Sequence, residues 1–426
     1  MLKKLLLTGV AAWVVMATSS AAQAGAFALR EQSAGAMGGA FAGVAAGAGG
    51  LSAMFWNPAT LTDQPGVQTS ATLSGILPYA NITPDASKSA ALVAVTRTSA
   101  ATGDVLEDAL LPAGYASWQV MDKLWVALSV NTPFGLATKN PVASTGKFYG
   151  LTSKVASIDV APTIAYQVND WLSVGVGLRV MNFKVRLTGA TQTGLAILQG
   201  EDTAYGFTGG VTLKPWKGGE IGLGYRSGVS PKLKGTIATA AVMDITANLK
   251  LPEQVTVGLR QQLTNDFTVL AGYEWTRWGS FSRFPVLTTS GVNATTLNFD
   301  YRDGWYASLG GEYKWNRDLT LRAGLGLEKS PVTDATRSVR LPDSDRTWAT
   351  LGGSYTFNDK LSLDASYAHL FETSGSINMV PGNPGYLTNL PFVASNKGHV
   401  DIISLSLTYR WDDPGAKAST KALVTK

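Results

Sequence analysis

Residue types that carry covalent or metal chemistry are scarce in this chain. There is no cysteine, which removes disulfides, thiolate metal sites and cysteine nucleophiles. The histidines are His369 and His399. Hydrolysis would need a base beside a nucleophile, or paired acids facing one space. Ser366 and Asp364 are near His369 in sequence. On a strand, however, His369 shares its face with Tyr367 and Phe371, and the other two take the opposite face. The reading is therefore not an enzyme, with no cofactor and no metal site. Asp343, Asp345 and Arg346 form a compact charged loop. It offers too few oxygen ligands for calcium and reads as a surface salt-bridge cluster.

Two further groups could act on a ligand. The strand-like stretch 171–187 places Leu172, Val174, Val176, Leu178 and Val180 on one parity, then Met181, Phe183, Val185 and Leu187 on the other. That switch predicts a bulge near Val180, after which Lys184 and Arg186 face inward. Arg302 shares the parity of Tyr306, Ser308 and Glu312. These three cations could meet a carboxylate. The same pattern also fits ordinary lumenal charges paired with Asp or Glu, or contact with lipopolysaccharide. The second group is Thr132, Pro133, Phe134 and Gly135. Proline cannot donate to a strand ladder and glycine has no side chain to pack, so the pair marks a break or bulge. On the residues alone, the favoured reading is that Pro133 ends a strand at the outer rim.

The elements that position these residues begin with a leader. Lys3 and Lys4, an apolar run from Leu5 to Met16, and Ala22-Gln23-Ala24 read as a secretion signal cut before Gly25. Residues 25–65 are rich in Gly and Ala, and side chains that small cannot build a core of their own. They read as a hatch that packs inside something larger. Charged residues are 15% of the chain, against about a quarter in soluble proteins. After the leader no run of about 18 apolar residues occurs, which excludes spanning helices. No basic block interleaved with aromatics points to nucleic acid.

Instead, apolar and small or polar residues alternate with period two along much of the chain. Ile403, Leu405, Leu407, Tyr409 and Trp411 oppose Ser404, Ser406, Thr408 and Arg410. Fourteen strands are expected, over 66–81, 111–121, 123–133, 154–168, 171–187, 202–214, 220–235, 246–263, 267–281, 297–315, 319–327, 346–357, 361–371 and 398–411. Short Asn/Asp turns alternate with long connections, the asymmetry of periplasmic turns and external loops. Residues 87–98 also alternate, but counting them would give an odd total, so they are assigned to the first external loop. Tyr and Trp near strand ends suit interfacial girdles. The fold class is all-β, a transmembrane antiparallel barrel over 66–411 with the hatch in its lumen. Residues 412–426 read as a polar, disordered periplasmic tail.

Several stretches resemble the FadL/TodX family of outer-membrane transporters for fatty acids and hydrocarbons. FALREQSAGAMGGAFAG leading to Asn57-Pro58-Ala59 resembles the family's hatch. Asn131 to Leu136, NTPFGL, is similar to its third strand, and 251–278 and 338–357 to later strands. The resemblance implies hydrophobic cargo that leaves sideways through an opening at a kink in the third strand, with Asn57, Pro58 and Ala59 beside it as gate. On that basis Thr132 to Gly135 is read as a kink, and Asn57 as the group that meets its unpaired backbone. The expected partners are a hydrophobic small molecule, outer-membrane lipid and lipopolysaccharide, and the barrel assembly machinery, with the barrel a monomer in the outer membrane of a Gram-negative bacterium. The alternatives are a general diffusion porin and an outer-membrane lipid hydrolase.

Overall fold

The computed structural model describes residues 25–97, 101–191, 194–383, 385–387 and 389–412. The leader and all of the expected tail except Asp412 lie outside the described residues. One antiparallel sheet closes on itself as fourteen staves, several of them interrupted. They are β1 Val67–Pro84, β2 Ala109–Met121, β3 Leu124–Asn131 with Gly135–Lys139, β4 Thr152–Gln167, β5 Leu172–Thr191, β6 Gly194–Trp216 and β7 Gly219–Arg226 with Lys232–Ala238. The rest are β8 Val242–Asn248 with Gln254–Gln262, β9 Phe267–Thr276 with Arg283–Thr288, β10 Asn293–Asn298 with Gly304–Lys314, β11 Leu319–Lys329, β12 Arg346–Thr356, β13 Leu361–Glu372 with Gly375–Met379, and β14 Phe392–Arg410. Closure is the β1–β14 ladder, from Gln68 opposite Arg410 to Pro84 opposite Ala394. In a membrane only such a closed ladder leaves no unpaired edge.

Local chemistry sets the short turns. Asn169, Asn316 and Asn358 each accept two backbone N–H bonds from the residues two and three positions on. This is the Asx turn that such residues favour. Parity then sets the wall. Ser404 and Ser406 face the lumen and are buried, while Ile403, Leu405 and Leu407 face outward and are exposed. Residues 90–96 form a helix outside the ladder, in the first external loop, as expected from the strand count.

Four staves differ from the expected uninterrupted strands. β7 to β10 each break part-way along, and Pro231 and Pro252 lie in the first two breaks. Proline withholds a ladder donor there. The freed segments turn Val229, Leu251, Trp278, Phe281 and Tyr301 into one buried apolar cluster with Phe27 and Phe134. β5 and β6 also run further outward than expected, to Thr191 and from Gly194.

Residues 25–65 fill the bore. They form a short helix, Ala34–Gly38, capped by Ser33, then three 3-10 turns. Bonds tie them to several sides of the wall. Ala34 N–H donates to Ser406 at 3.2 Å, the Tyr306 hydroxyl to Ala40 O at 2.8 Å, and Gly43 N–H to Ala271 O at 2.9 Å. The hatch backbone lies directly on the barrel where the wall lacks side chains. A Cβ on Gly222 would collide with the Ala45 carbonyl, and one on Gly224 with that of Trp56.

Candidate functional site: the strand break and its cavity

β3 leaves the wall at Asn131. Its ladder with β2 ends at the Gly114–Val130 pair. Contact resumes only at a single Leu106–Thr138 bridge, with Lys139 N–H on Val105 O at 2.8 Å. Residues 109–113 of β2 therefore have no ladder bond to β3. On the other side, Asn131 pairs with Asp159 and Gly135 with Ala156. Four steps on β3 match three on β4, so the break is a bulge with one extra residue.

Unpaired backbone at membrane depth costs several kcal/mol per group, so each freed group needs a partner. The Ser157 hydroxyl takes the N–H of Phe134 at 2.9 Å and donates to its carbonyl at 2.8 Å. The hatch supplies the rest. Leu29 N–H donates to Pro133 O at 2.8 Å, and Gly135 N–H to Phe27 O at 2.9 Å. The Gln32 carboxamide donates to Thr132 O at 2.9 Å and accepts from Asn131 Nδ2 at 3.2 Å. Residues 27–32 thus act as a short strand laid against the break.

Beside it lies a small cavity, with about 50 Å³ of accessible space, lined in part by Leu29, Trp56, Pro133, Phe134 and Trp278. Behind its Phe134 and Trp278 lining lies a buried aromatic cluster. The Phe27 ring stands 4.8 Å from Trp278, 5.2 Å from Phe281 and 5.9 Å from Phe134, mostly edge to face, the geometry aromatic quadrupoles favour. Its polar points are buried ion pairs. Arg30 reaches Glu274 at 2.6 Å and Glu328 at 3.2 Å. Asp159 Oδ2 accepts from Arg179 Nε and Arg226 Nη2, each at 2.7 Å. The Arg226 guanidinium also covers the Phe55 ring at 3.9 Å. Ions this deep persist only when paired and hydrogen-bonded. Aromatic rings and fixed charges thus meet at one point beside the break. Below the hatch, at the short-turn end, a second cavity of about 420 Å³ is lined by charges including Asp63, Lys214, Glu220, Arg260, Glu312 and Arg322.

The expected site residues divide. Thr132, Pro133, Phe134 and Gly135 form the break. Asn57 does not meet it. Its Nδ2 donates to Ala45 O at 2.6 Å and Val211 O at 3.0 Å, and its Oδ1 accepts from Ala59 N–H at 3.0 Å. Asn57, Pro58 and Ala59 thus fasten the hatch to β5–β7, and Gln32 meets the break instead. The bulge near Val180 does not form either. β5 keeps one register against β4 and β6 on both sides of that point, although the pairs with Ala161 and Pro162 of β4 are missing. Met181 and Phe183 face the lumen, so Lys184 and Arg186 face outward, and Lys184 pairs with Glu201 at 2.8 Å. Apolar residues on both parities reflect a strand buried on its inner face as well. Arg302 lies in the interruption of β10, donates to Ser330 O at 3.0 Å and stands 3.5 Å from Asp345. None of the three lines the cavity.

Asp343 and Arg346 are also not a surface cluster. Both are fully buried, and Asp343 accepts from Ala26 N–H at 2.7 Å. Burial pushes the Asp343 carboxyl above its usual range, against the pull of the Arg346 guanidinium. His369 points outward and bonds Asp401 at 2.7 Å. Arg179, Asp159 and Arg226 were not anticipated. Their signal is a charge on the inward parity of an otherwise regular strand.

A family model described as outer membrane protein transport protein (OMPP1/FadL/TodX) matches residues 15–411. The chain belongs to this family. Among its FadL/TodX relatives, the 47 kDa outer membrane protein of Pasteurella multocida is 26% identical over 346 residues, covering 72% of this chain and 78% of that protein. The long-chain fatty acid transport protein of Escherichia coli K12 is 24% identical over 314 residues, 62% of this chain and 70% of that one. Two solved structures share the fold. A Pseudomonas aeruginosa FadL homologue superposes with a TM-score of 0.81 at 20% identity, covering 91% of this chain and all (100%) of that one. The P. putida toluene transporter TodX gives 0.65 at 17%, covering 86% and 95%. Like others of the OMPP1/FadL/TodX family, this chain is an outer-membrane transport protein, and it is not an enzyme.

Proposed function

We propose that this barrel takes up hydrophobic compounds passively, of the long-chain fatty acid or aromatic hydrocarbon class, and releases them sideways into the membrane where β2 and β3 part. One observation carries the reading: residues 109–113 have no ladder bond to β3, and hatch residues 27–32 occupy the inner side of that interval. A relative named for long-chain fatty acids and a fold neighbour named for toluene support the cargo class. The solvent argument agrees. Each buried CH₂ gains roughly 0.8 kcal/mol, so greasy cargo favours the aromatic cluster beside the break over water. The way straight down crosses a hatch and then a vestibule of charges, whereas the wall opens onto lipid. The barrel works as a monomer, inserted by the barrel assembly machinery.

The test is to close the break. Deleting Pro133 removes the extra residue and the non-donor together, so the ladder can run through. Uptake of labelled oleate and of toluene should fall at least about tenfold, a barrier change of ~1.4 kcal/mol. Heat-modifiable migration should still report a folded barrel. Replacing Gly135 with Val is the second arm. Undiminished uptake in both variants would refute the sideways exit.

A further inference from the structure

Two guanidiniums and five carboxylates are buried together where the start of the hatch meets the wall. Arg30 bonds Glu274 and Glu328. Arg346 bonds Asp343, bonds Glu372 at 2.8 Å and stands 3.7 Å from Glu328. Glu31 is the fifth acid, 1% exposed. Both of its carboxylate oxygens, and Oε2 of Glu372, are buried without a hydrogen-bond partner. The nearby cations Lys329 and Arg302 are committed to Asp345. Counting Asp345 with its two cations, and with Glu31 protonated, five carboxylates face four cations, an excess of one negative charge. Buried charge of one sign is strongly unfavourable unless a counter-charge meets it.

We propose that the balancing cation is the chain's own α-ammonium on Gly25, created when the leader is removed. The proposal rests on the reading of a leader cut before Gly25. Hydrolysis of the Ala24–Gly25 amide adds water across the C–N bond. The carboxylate departs with the leader, and the Gly25 amine takes up a proton. Gly25 stands at the acids: a Cβ on it would lie 3.0 Å from Glu328 Oε1, and the next residue's N–H already donates to Asp343 at 2.7 Å. Before processing the same nitrogen is a neutral amide. The ion pair therefore forms only in the mature chain, as a latch on the segment whose Phe27 and Leu29 bond the break in β3. The occupant of this acidic site is a primary ammonium, supplied in cis.

The full chain with its leader is expressed in a Gram-negative outer membrane and purified in detergent. Intact mass should show a mature chain starting at Gly25, and any other start overturns the proposal. Acetylation of the α-amine by a succinimidyl ester at neutral pH is followed on the N-terminal peptide by mass spectrometry. It should be about tenfold or more slower than in a chain carrying one extra Ala ahead of Gly25, the effect of one pKa unit on the free-amine fraction. A Glu328→Gln, Asp343→Asn chain should react like the extended one. The extended chain keeps every buried acid, so the comparison stands even where the double variant does not assemble. Equal rates in the parent and the extended chain overturn the latch. Cargo uptake is not read, so failure of the transport reading and failure of the latch are distinguishable.

Discussion

Gln32 is the side chain that couples hatch to wall, and its removal should uncouple them. It is fully buried and donates to Thr132 O at 2.9 Å and Leu29 O at 3.3 Å. It also accepts from Asn131 Nδ2 at 3.2 Å and Thr132 N–H at 3.4 Å. Gln32→Ala leaves the Thr132 carbonyl and N–H unpaired, while Asn131 keeps its 2.8 Å bond to the Tyr115 hydroxyl. A buried polar group that loses its partner costs about 1–3 kcal/mol. Two such groups give roughly 2–6 kcal/mol taken from the docked hatch. Since ~1.4 kcal/mol is tenfold in an equilibrium, transient undocking should rise at least tenfold. Planar-bilayer recordings should show more frequent small-ion openings, with the barrel still resistant to detergent at ambient temperature. Gln32→Glu keeps the acceptor but loses the donor to Thr132 O, so its leak should fall between alanine and parent. Parental leak in Gln32→Ala, with parental unfolding midpoints, would refute the assignment of Gln32 as the tie.

Three further outcomes follow from the geometry. Arg179→Ala removes one of the two guanidiniums on Asp159 and should lower stability by about 3–5 kcal/mol; adding Asp159→Asn should recover part of it, read as urea midpoints in vesicles. Lys184→Ala removes an exposed pair with Glu201, worth at most about 1 kcal/mol, and should leave oleate and toluene uptake at the parental level. Gly224→Val puts a side chain into the Trp56 carbonyl; the hatch should be displaced, and steady conductance should exceed that of Gln32→Ala.

Much of the wall was legible because its signals are local. Alternation of Ser404 and Ser406 with Leu405 and Leu407 states which face meets lipid, and each Asn turn is closed by its own next three residues. The fourteen staves follow from those two rules together with the even strand number of such barrels, which sets residues 87–98 aside. Pro133 and Gly135 mark an interruption locally, since a missing donor is a property of the residue itself, but on the residues alone a strand end at the rim is favoured, and the kink comes from the family resemblance. The reading failed where a second surface was needed. On β5, Met181 and Phe183 are apolar because the lumen there is apolar, and with one strand in hand this looks like a bulge. The consequence was that Lys184 and Arg186 were turned to the wrong side.

By itself, then, the chain determined a closed, lipid-facing barrel with a small-residue hatch, because period and turn chemistry act over a few residues; the interruption of β3 is marked only as a missing donor at Pro133. The partner of that stave was decided only by the tertiary structure. Gln32 lies 100 residues from Thr132, and Ala26 lies 317 residues from Asp343. A strand's parity says inward or outward, but not what stands across the bore. Closure of the sheet and docking of the hatch place those groups within bonding distance, and burial then makes each pairing obligatory.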